Sequence, residues 1–282
     1  MKILILGAGG MAGHVITLKL KEQGHDVTGF ERRDLTFCET ITGDAMTVDI
    51  PGLVSGYDVV INCIGVLNKA VDAEPHNGIW LNSYLPHLLA AHAKRVIHIS
   101  TDCVFSGHEK GRYDEDSFRS ADTMYGRSKA MGELNDDRNL TLRTSIVGPD
   151  LNENGIGLFN WFMKQNGTVN GYTGAIWGGV TTIVLAKAII AALEQGVTGL
   201  RHLTNGEGIN KYELLKLFNK LRTDPVELIP SDAVNEDKSL VSVHPGFDFN
   251  VPGYEEMVIE MGEWIKKKSG LYYYNRKKGD TQ

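Results

Sequence analysis

The stretch Lys2-Ile-Leu-Ile-Leu-Gly7-Ala-Gly-Gly10-Met-Ala-Gly13 opens the chain and decides its fold. A short apolar run predicts a buried strand, and glycines spaced three residues apart follow it directly. The pattern of residues 11–23 then predicts a helix that stops at Gly24, a residue suited to a left-handed helix end. Such a turn places backbone N–H groups and a helix N-terminus around a pyrophosphate. Tight packing of the helix on the strand is the alternative explanation.

The first half of the chain continues with short apolar runs between helical patterns, which predicts a parallel sheet wound by crossover helices. We therefore expect an α/β fold with a Rossmann-like doubly wound sheet and a smaller second lobe. Glycine- and asparagine-rich stretches after residue 150 mark the expected lobe boundary. Strands are predicted at residues 2–6, 26–30, 46–48, 58–64, 95–100 and 140–143. Helices are predicted at residues 79–93, 182–193, 211–221 and 254–268, and around Tyr125.

Composition and charge exclude several classes of protein. The chain has 282 residues, a net charge of −6 and a pI of about 5.9, so we expect neither a nucleic-acid partner nor a membrane surface. Its three cysteines, Cys38, Cys63 and Cys103, lie far apart, which argues against a disulfide framework and against a metal site. No apolar run approaches the length of a signal or membrane segment. These features together predict a cytoplasmic protein.

The pair in Tyr125-Gly-Arg-Ser-Lys129 suggests the chemistry. Residues four apart on a helix project from one face, so the ammonium of Lys129 can sit beside the phenol of Tyr125. A phenol has an ordinary pKa of about 10, and a neighbouring cation favours its phenolate form. This pairing suits proton transfer to a carbonyl oxygen. A solvated helix face is the alternative for the pair alone, and the glycine loop in the same chain favours the catalytic interpretation.

Four motifs in this order resemble the extended short-chain dehydrogenase/reductase superfamily, and within it the dTDP-4-dehydrorhamnose reductase family. The motifs are the glycine loop, Ser100-Thr-Asp-Cys-Val-Phe105, Tyr125-Gly-Arg-Ser-Lys129 and Leu142-Arg-Thr-Ser145. The resemblance implies an NAD(P)-binding Rossmann domain over residues 1–150, to which about 175–205 returns, and a lobe over 151–282 that mainly binds a nucleotide-diphosphate sugar. It implies NAD(P)H-dependent reduction of the 4-keto group of a nucleotide-linked 6-deoxysugar, in the biosynthesis of dTDP-rhamnose and cell-surface polysaccharide precursors.

The resemblance also implies residue roles. Tyr125 would donate a proton, Thr101 would hydrogen-bond the substrate carbonyl oxygen, and Lys129 would hold the nicotinamide ribose and tune Tyr125. Tyr125 and Lys129 would thereby touch the coenzyme as well. The other coenzyme contacts would come from the glycine loop, from the end of the third strand near the adenine, and from the residues after the fourth strand. These residues are Gly7, Gly10, Met11, Gly13, Asp49, Ile50, Cys63, Ile64 and Gly65.

The segment Phe30-Glu-Arg-Arg33 bears on the choice of coenzyme. A carboxylate at this place accepts hydrogen bonds from the adenosine ribose of NAD, whereas arginines pair with the extra phosphate of NADP. Arg32 and Arg33 match an arginine pair in NADP-using relatives, so the sequence favours NADP(H) and leaves NAD(H) open. The alternative for the pair is a solvated turn.

Substrate contacts are expected from Thr101, Cys103, Trp177 and Lys238. Many dehydrorhamnose reductases carry a tryptophan where this chain has Ile146, which predicts a different sugar pocket. Trp177 would line the sugar site or fill the lobe interface, and Lys238 would face the diphosphate or lie in an exposed loop.

Two other functions stay open. Cys103 lies where nucleotide-sugar epimerase/reductases carry a catalytic cysteine, although no histidine occurs between His108 and His202 to act as its partner. A relative of the family is a non-catalytic, NADP-binding regulatory subunit, and the intact set of Thr101, Tyr125 and Lys129 argues against that role. The sequence also leaves homodimerisation open.

Overall fold

The computed structural model describes residues 1–109 and 111–275. Residues 276–282, which the sequence assigns to the second lobe, lie outside this part. The strands are β1 (Lys2–Leu6), β2 (Asp26–Glu31), β3 (Glu39–Thr42), β4 (Val59–Asn62), β5 (Val96–Ser100), β6 (Leu140–Arg143), β7 (Ile146–Val147), β8 (Thr168–Trp177), β9 (Val180–Thr181), β10 (Gly199–His202), β11 (Ile209–Asn210) and β12 (Glu227–Asp237).

Within the described residues, a parallel sheet of seven strands has the order β10-β6-β5-β4-β1-β2-β3. Strand β1 lies between β2 and β4, where the strand order reverses. Ligands of such sheets bind in the crevice beyond the carboxyl ends of the strands at this point. The expected Rossmann-like α/β fold is confirmed, and the glycine loop follows the strand that borders the crevice.

The strand predicted at residues 46–48 is wrong, because this stretch forms a turn and the third strand is β3. The backbone N–H groups of Met46 and Val48 donate to the side chain and carbonyl of Asp44, both at 2.9 Å, so they serve the turn and not a sheet. Strand β3 pairs with β2 from Thr28 opposite Glu39. It is a largely exposed edge strand of mixed polarity, and therefore lacks the apolar run that marked the other strands.

The predicted helices form, with boundaries that shift by a few residues. The helix predicted at 79–93 comprises a π-helical segment, Ile79–Tyr84, followed by an α-helix, and Gly24 has the expected positive φ of 79°. The α-helices are α1 (Gly13–Glu22), α2 (Ile50–Val54), α3 (Asn68–Ala73), α4 (Pro75–Gly78), α5 (Leu85–His92), α6 (Met124–Met131), α7 (Leu158–Met163), α8 (Thr182–Gln195), α9 (Lys211–Asn219) and α10 (Tyr254–Lys267); short 3₁₀ turns cover Asp102–Val104, Ser269–Leu271 and Tyr273–Asn275.

The second half of the chain adds one strand to the large sheet and forms a second, smaller sheet. Helix α8 packs against α1 and leads into β10, which pairs with β6 at the edge of the large sheet. Strand β8 forms the centre of a second sheet with β11 antiparallel and β12 parallel to it, and α9 covers it. Helix α10 buries Met257, Met261 and Trp264 against this body. Along the described residues, no helix is both long and apolar enough to cross a membrane.

A buried ion pair fixes α6 to the large sheet. Both oxygens of Glu133, just after α6, accept hydrogen bonds from the Arg143 guanidinium, at 2.8 and 2.7 Å, and both side chains are fully buried. The hydroxyl of Ser100 donates to the same carboxylate at 2.7 Å. Because Ser100 ends β5 and Arg143 ends β6, this carboxylate joins the helix to two neighbouring strands.

We expect Glu133→Gln to lower the free energy of unfolding by about 3–5 kcal/mol, because it leaves the buried guanidinium of Arg143 without its counter-charge. Urea unfolding followed by circular dichroism measures the change. The matched control is Glu255→Gln, since Glu255 and Lys220 form a surface pair in which both side chains are 63% exposed. It should cost less than about 1 kcal/mol. Equal losses in the two variants would contradict this account.

Candidate active site

The glycine loop is a tight backbone cradle. Gly7 has a positive φ of 74°, and the N–H of Gly10 donates to the carbonyl of Gly7 at 3.0 Å. A Cβ at Gly13 would overlap that carbonyl oxygen and would lie 2.9 Å from the Cα of Ala8. Only glycine lets the first turn of α1 come this close to the loop. The first turn of a helix leaves N–H groups without partners inside the helix, and such groups suit a diphosphate.

The structure brings the residues after β4 to this loop. A Cβ at Gly7 would lie 3.2 Å from the backbone nitrogen of Ile64, so the loop packs directly against the Cys63-Ile64 backbone. Gly65 follows at the same edge, beside the buried amide of Asn82. That amide exchanges two hydrogen bonds with the backbone of Val66, at 2.8 and 2.9 Å, and so holds the segment in place.

The other coenzyme candidates are spread along the edge of the sheet. The sulfur of Met11 lies near Gly157, at the start of α7. The sequence predicted that Asp49 ends the third strand, and this is wrong because the third strand lies earlier. Asp49 is an exposed residue that precedes α2. Ile50, the first residue of α2, is only 2% exposed and packs in the core, so the structure does not offer it to a ligand.

Arg32 and Arg33 are exposed just beyond β2. The carboxylate of the preceding Glu31 accepts hydrogen bonds from the N–H groups of Gly9 and Arg32, at 3.1 and 3.0 Å. The acidic side chain therefore closes onto the glycine loop, while the two arginines extend into solvent at the same edge.

The sheet and α6 bring Thr101 and Tyr125 together. Gly126 explains how, because a Cβ there would overlap the carbonyl oxygen of Cys103, so the first turn of α6 rests directly on the segment after β5. Thr123 caps the helix by accepting a hydrogen bond from the N–H of Gly126 at 3.1 Å. The Thr101 hydroxyl accepts from the N–H of Cys103 and donates to Asp102, both at 3.1 Å.

The protonation of Tyr125 and Lys129 differs from the expectation. Burial raises the pKa of the Tyr125 phenol above its usual value, Cys103 adds to the rise, and a hydrogen bond with Thr101 opposes it. The amino group of Lys129 donates to the carbonyl of Ile99 at 2.6 Å, so it faces β5. Burial lowers the pKa of Lys129 to about 8, against the effect of Glu133. Desolvation is therefore the largest influence on the pKa of Tyr125, and Tyr125 stays a phenol.

A cavity of about 210 Å³ opens beside Cys103, the neighbour of Tyr125. Three of the predicted substrate residues line it. Cys103 lies on its wall next to Tyr125. Trp177, only 6% exposed, both lines the cavity and packs on Tyr254 with ring centroids 5.7 Å apart. The charged and polar part of the wall comprises Asp102, Cys103, Ser145, Lys211, Glu236 and Lys238.

Two lysines give the cavity its positive side. The stem of Lys238 lies against Gly107, where a Cβ would be 2.8 Å from its Cγ. Burial opposes protonation of Lys238, but Cys103, Glu236 and Asp102 raise its pKa above the usual value, so it is an ammonium. The sequence prediction missed Lys211, the first residue of α9. A cation is unfavourable at a helix N-terminus. A lysine at the predicted start of α9 is therefore a sequence signal that could have identified Lys211 as a site residue.

Cys103 is poorly suited to act as a base. Burial and the negative charge of Asp102 raise the pKa of its thiol to about 12. The histidines that flank this part of the sequence are engaged elsewhere: His108 contacts the carboxylate of Asp122 at 3.2 Å, and His202 contacts the guanidinium of Arg143 at 2.8 Å. Within residues 1–109 and 111–275, no group of three or more His, Cys, Asp or Glu side chains could hold a metal ion.

A Rossmann-like sheet with a Tyr-x-x-x-Lys helix at its carboxyl edge defines a short-chain dehydrogenase/reductase. The profile of the RmlD substrate binding domain family matches residues 1–239, and the chain belongs to this family. It is 29% identical to a probable low-salt glycan biosynthesis reductase, Agl14, of Haloferax volcanii, over 74% of this chain and 76% of the relative. It is 28% identical to a dTDP-4-keto-6-deoxy-D-glucose reductase of Streptomyces niveus, over 82% and 83%.

Solved structures show the same fold. A dTDP-4-dehydrorhamnose reductase of Bacillus anthracis in complex with NADP matches with a TM-score of 0.78 and 20% identity, over 95% of this chain and 99% of that one. A hypothetical dTDP-4-dehydrorhamnose reductase of Sulfolobus tokodaii matches with a TM-score of 0.72 and 27% identity, over 85% and 92%.

We expect Gly13→Ala to weaken NADPH binding at least about tenfold, because the added Cβ must push the start of α1 away from the loop. Titration of NADPH fluorescence measures the affinity. Gly253→Ala is the control, since a Cβ there meets no atom within 4 Å. Normal NADPH affinity in a correctly folded Gly13→Ala protein would show that the loop does not hold the coenzyme.

Proposed function

We propose that this protein is an NAD(P)H-dependent reductase of the 4-keto group of a nucleotide-linked 6-deoxysugar. The observation that carries the proposal is the contact of α6 with the end of β5, which sets the partly buried phenol of Tyr125 beside Thr101 and next to Cys103 of the cavity wall. A proton donor beside a cavity and a diphosphate cradle at the same edge of the sheet are the two requirements for reducing a bound ketone.

The names of relatives support the substrate class. Beyond the two already described, the chain is similar to a probable dTDP-4,6-dihydroxy-2-methyloxan-3-one 4-ketoreductase of Streptomyces antibioticus, at 29% identity over 82% of the chain. A dTDP-4-dehydrorhamnose reductase of Mycolicibacterium smegmatis is 34% identical over 47% of the chain. The shared chemistry is reduction of a keto group on a nucleotide-linked deoxysugar, of the kind that supplies polysaccharide precursors.

The residues of the chain perform the proton half of the reduction. A bound dihydronicotinamide supplies hydride to the carbonyl carbon, and negative charge develops on the oxygen. Tyr125 gives that oxygen its proton, and its raised pKa keeps it in the acid form that can donate. Thr101 would turn its hydroxyl hydrogen from Asp102 to the same oxygen. Donors held by the fold stabilise the developing charge with less reorganisation than water requires.

The coenzyme site follows from the crevice. Gly7, Gly10, Met11 and Gly13 would hold the diphosphate, the backbone of residues 63–65 would line the groove, and Lys129 would meet the nicotinamide ribose. The absence of a Cβ at Gly13 leaves the space that this cradle needs. We assign residues 1–150, with 175–205, to the coenzyme domain, and the remainder mainly to the sugar lobe.

NADP(H) fits the edge beyond β2 better than NAD(H). The carboxylate of Glu31 is already occupied by the N–H groups of Gly9 and Arg32, whereas the guanidinium groups of Arg32 and Arg33 are exposed. An extra phosphate on the adenosine ribose would pair with these arginines.

We assign the substrate contacts to residues of the cavity wall. Lys211 and Lys238 would attract the diphosphate of the nucleotide sugar, and Trp177 would pack on the sugar or the base. Cys103, protonated by its raised pKa, would contact the sugar without exchanging protons, which favours simple reduction over epimerisation followed by reduction. A regulatory, non-catalytic role has no use for the paired Thr101 and Tyr125.

Replacing the proton donor tests the reaction. We expect Tyr125→Phe to lower the turnover number about a hundredfold or more while NADPH affinity stays near normal, because only the transferable proton is lost. The assay follows NADPH oxidation against a panel of nucleotide-linked 4-keto-6-deoxysugars. Tyr84→Phe, which alters a tyrosine that is 53% exposed, is the control and should keep full activity. Unchanged turnover in Tyr125→Phe would refute the role, and tight NADPH binding without turnover in the unaltered protein would favour the regulatory role.

Coenzyme choice has its own test. In the double variant Arg32→Ala/Arg33→Ala, we expect the KM for NADPH to rise at least about 100-fold, since each charge-assisted phosphate contact is worth about 1.5–3 kcal/mol and two are lost. NADH lacks the extra phosphate and serves as the internal control, so its KM should stay unchanged. Equal changes for the two coenzymes would show that the arginines form only a solvated turn.

A further inference from the structure

A row of buried polar side chains lies behind Lys129, and the reaction described above leaves it unused. Asn62 ends β4 and lies opposite His98 of β5 in the sheet register. Both side chains are fully buried, and Lys129 is 3% exposed. The amide nitrogen of Asn62 lies 3.2 Å from Nδ1 of His98, and Nε2 of His98 lies 3.3 Å from Nζ of Lys129. The three side chains therefore form one continuous chain of contacts.

A backbone N–H group determines which atoms donate and which accept in this row of side chains. The N–H of Ile64 donates to Oδ1 of Asn62 at 3.1 Å, so the amide of Asn62 presents its NH₂ group to His98. Nδ1 of His98 must then accept. Burial, and after it the charge of Lys129, lowers the pKa of His98 well below its usual value, so the ring is neutral. A neutral imidazole that accepts at Nδ1 carries its hydrogen on Nε2.

At the other end of the row, His98 presents a hydrogen-bond donor to Lys129. The Nε2–H of His98 points at Nζ of Lys129, and an ammonium has three donors and no acceptor, whereas a neutral amine can accept. The amine still donates to the carbonyl of Ile99 at 2.6 Å. All polar groups of the row are therefore satisfied when Lys129 is neutral. An ammonium would require the Asn62 amide to turn over, which leaves the N–H of Ile64 facing another donor.

The other groups that face Lys129 do not change this conclusion. Cys63, from the end of β4, has a pKa raised to about 12 by burial and is therefore uncharged. Glu133, beyond the end of α6, carries a negative charge that favours an ammonium, but Arg143 and Arg119 already pair with it, each at 2.7 Å. Tyr125, one turn earlier on α6, stays a phenol. His87 acts on His98 and disfavours a charged ring.

We propose that Asn62 and His98 form a hydrogen-bond relay that stabilises the neutral, hydrogen-bond-accepting form of the Lys129 amino group in the ligand-free protein. Both are positioning residues that act through Lys129. Once Lys129 has lost its proton, no cation one turn away favours the phenolate of Tyr125, so the phenol keeps the proton it must donate. The functional meaning of the relay rests on the proposed reductase activity. Its existence does not, and it can be tested without substrate.

The first test is the ¹⁵N NMR spectrum of the histidine side chains in the ligand-free, full-length protein at about pH 9. The signals of His98 are assigned by their loss in His98→Leu. The relay predicts a neutral ring with hydrogen on Nε2 and none on Nδ1. A ring with hydrogen on Nδ1, or a cationic ring, would overturn the proposal, and this outcome needs no variant to fold.

The second test reverses the relay. In Asn62→Asp, a carboxylate accepts from both Ile64 and Nδ1–H of His98, so Nε2 becomes an acceptor and Lys129 becomes an ammonium. Titration of the ¹³C signals of lysine side chains should show the midpoint of Lys129 near 8 in the unaltered protein and at least about one pH unit higher in the variant. The matched control for added charge is Asn62→Asp/His98→Leu. The shift should be less than half as large there, and equal shifts with and without His98 would overturn the relay.

The two failures are distinguishable. If the NMR results hold but no nucleotide sugar is reduced, the relay stands and the proposed function falls. If turnover is found while His98 carries hydrogen on Nδ1, the reductase stands and the relay falls.

Discussion

The placement of α6 on the end of β5 is the constraint on which the site depends. At the start of the helix, Gly126 lets the backbone rest on the carbonyl of Cys103, and just after its end the carboxylate of Glu133 is held by Arg143 and Ser100. Fixed at both ends, the helix cannot shift along the sheet. The phenol of Tyr125 is thereby kept beside Thr101, and a catalytic proton donor must be held at this precision to act.

Burial then decides the protonation states in the site. Desolvation disfavours the charged form of every group, so it raises the pKa of Tyr125 and of Cys103 and lowers that of Lys129 to about 8. The result is a neutral phenol and a neutral thiol beside a cavity whose wall carries two lysines, Lys211 and Lys238. Such a site suits protonation of a ketone oxygen, and its Cys103 thiol is too weakly acidic to act as the base that would remove a carbon-bound proton.

Sequence patterns predicted five strands of the large sheet and the α-helices of eight residues or more, because those elements carry continuous apolar runs or helical periodicity. They missed the short helices and the two edge strands, β10 and β3, of which β3 is exposed and held by backbone pairing with β2. In the site, Tyr125, Lys129 and the glycine loop could be predicted because their spacing is local. Lys211 and the contact of Asn62 with His98 join residues far apart in the chain, so only the fold reveals them. The direction of the Tyr125 pKa was also beyond the sequence, since helical spacing reports the neighbouring charge and not the burial.

The most direct test of the reductase is to follow the hydride itself. NADPH carrying deuterium at the transferable position of its nicotinamide is incubated with the protein and each nucleotide-linked 4-keto-6-deoxysugar, and the sugar product is examined by NMR and mass spectrometry. The account predicts one deuterium at carbon 4 of the sugar and an equal amount of oxidised coenzyme. Deuterium at another carbon, or coenzyme that stays bound and unoxidised with every sugar, would contradict it.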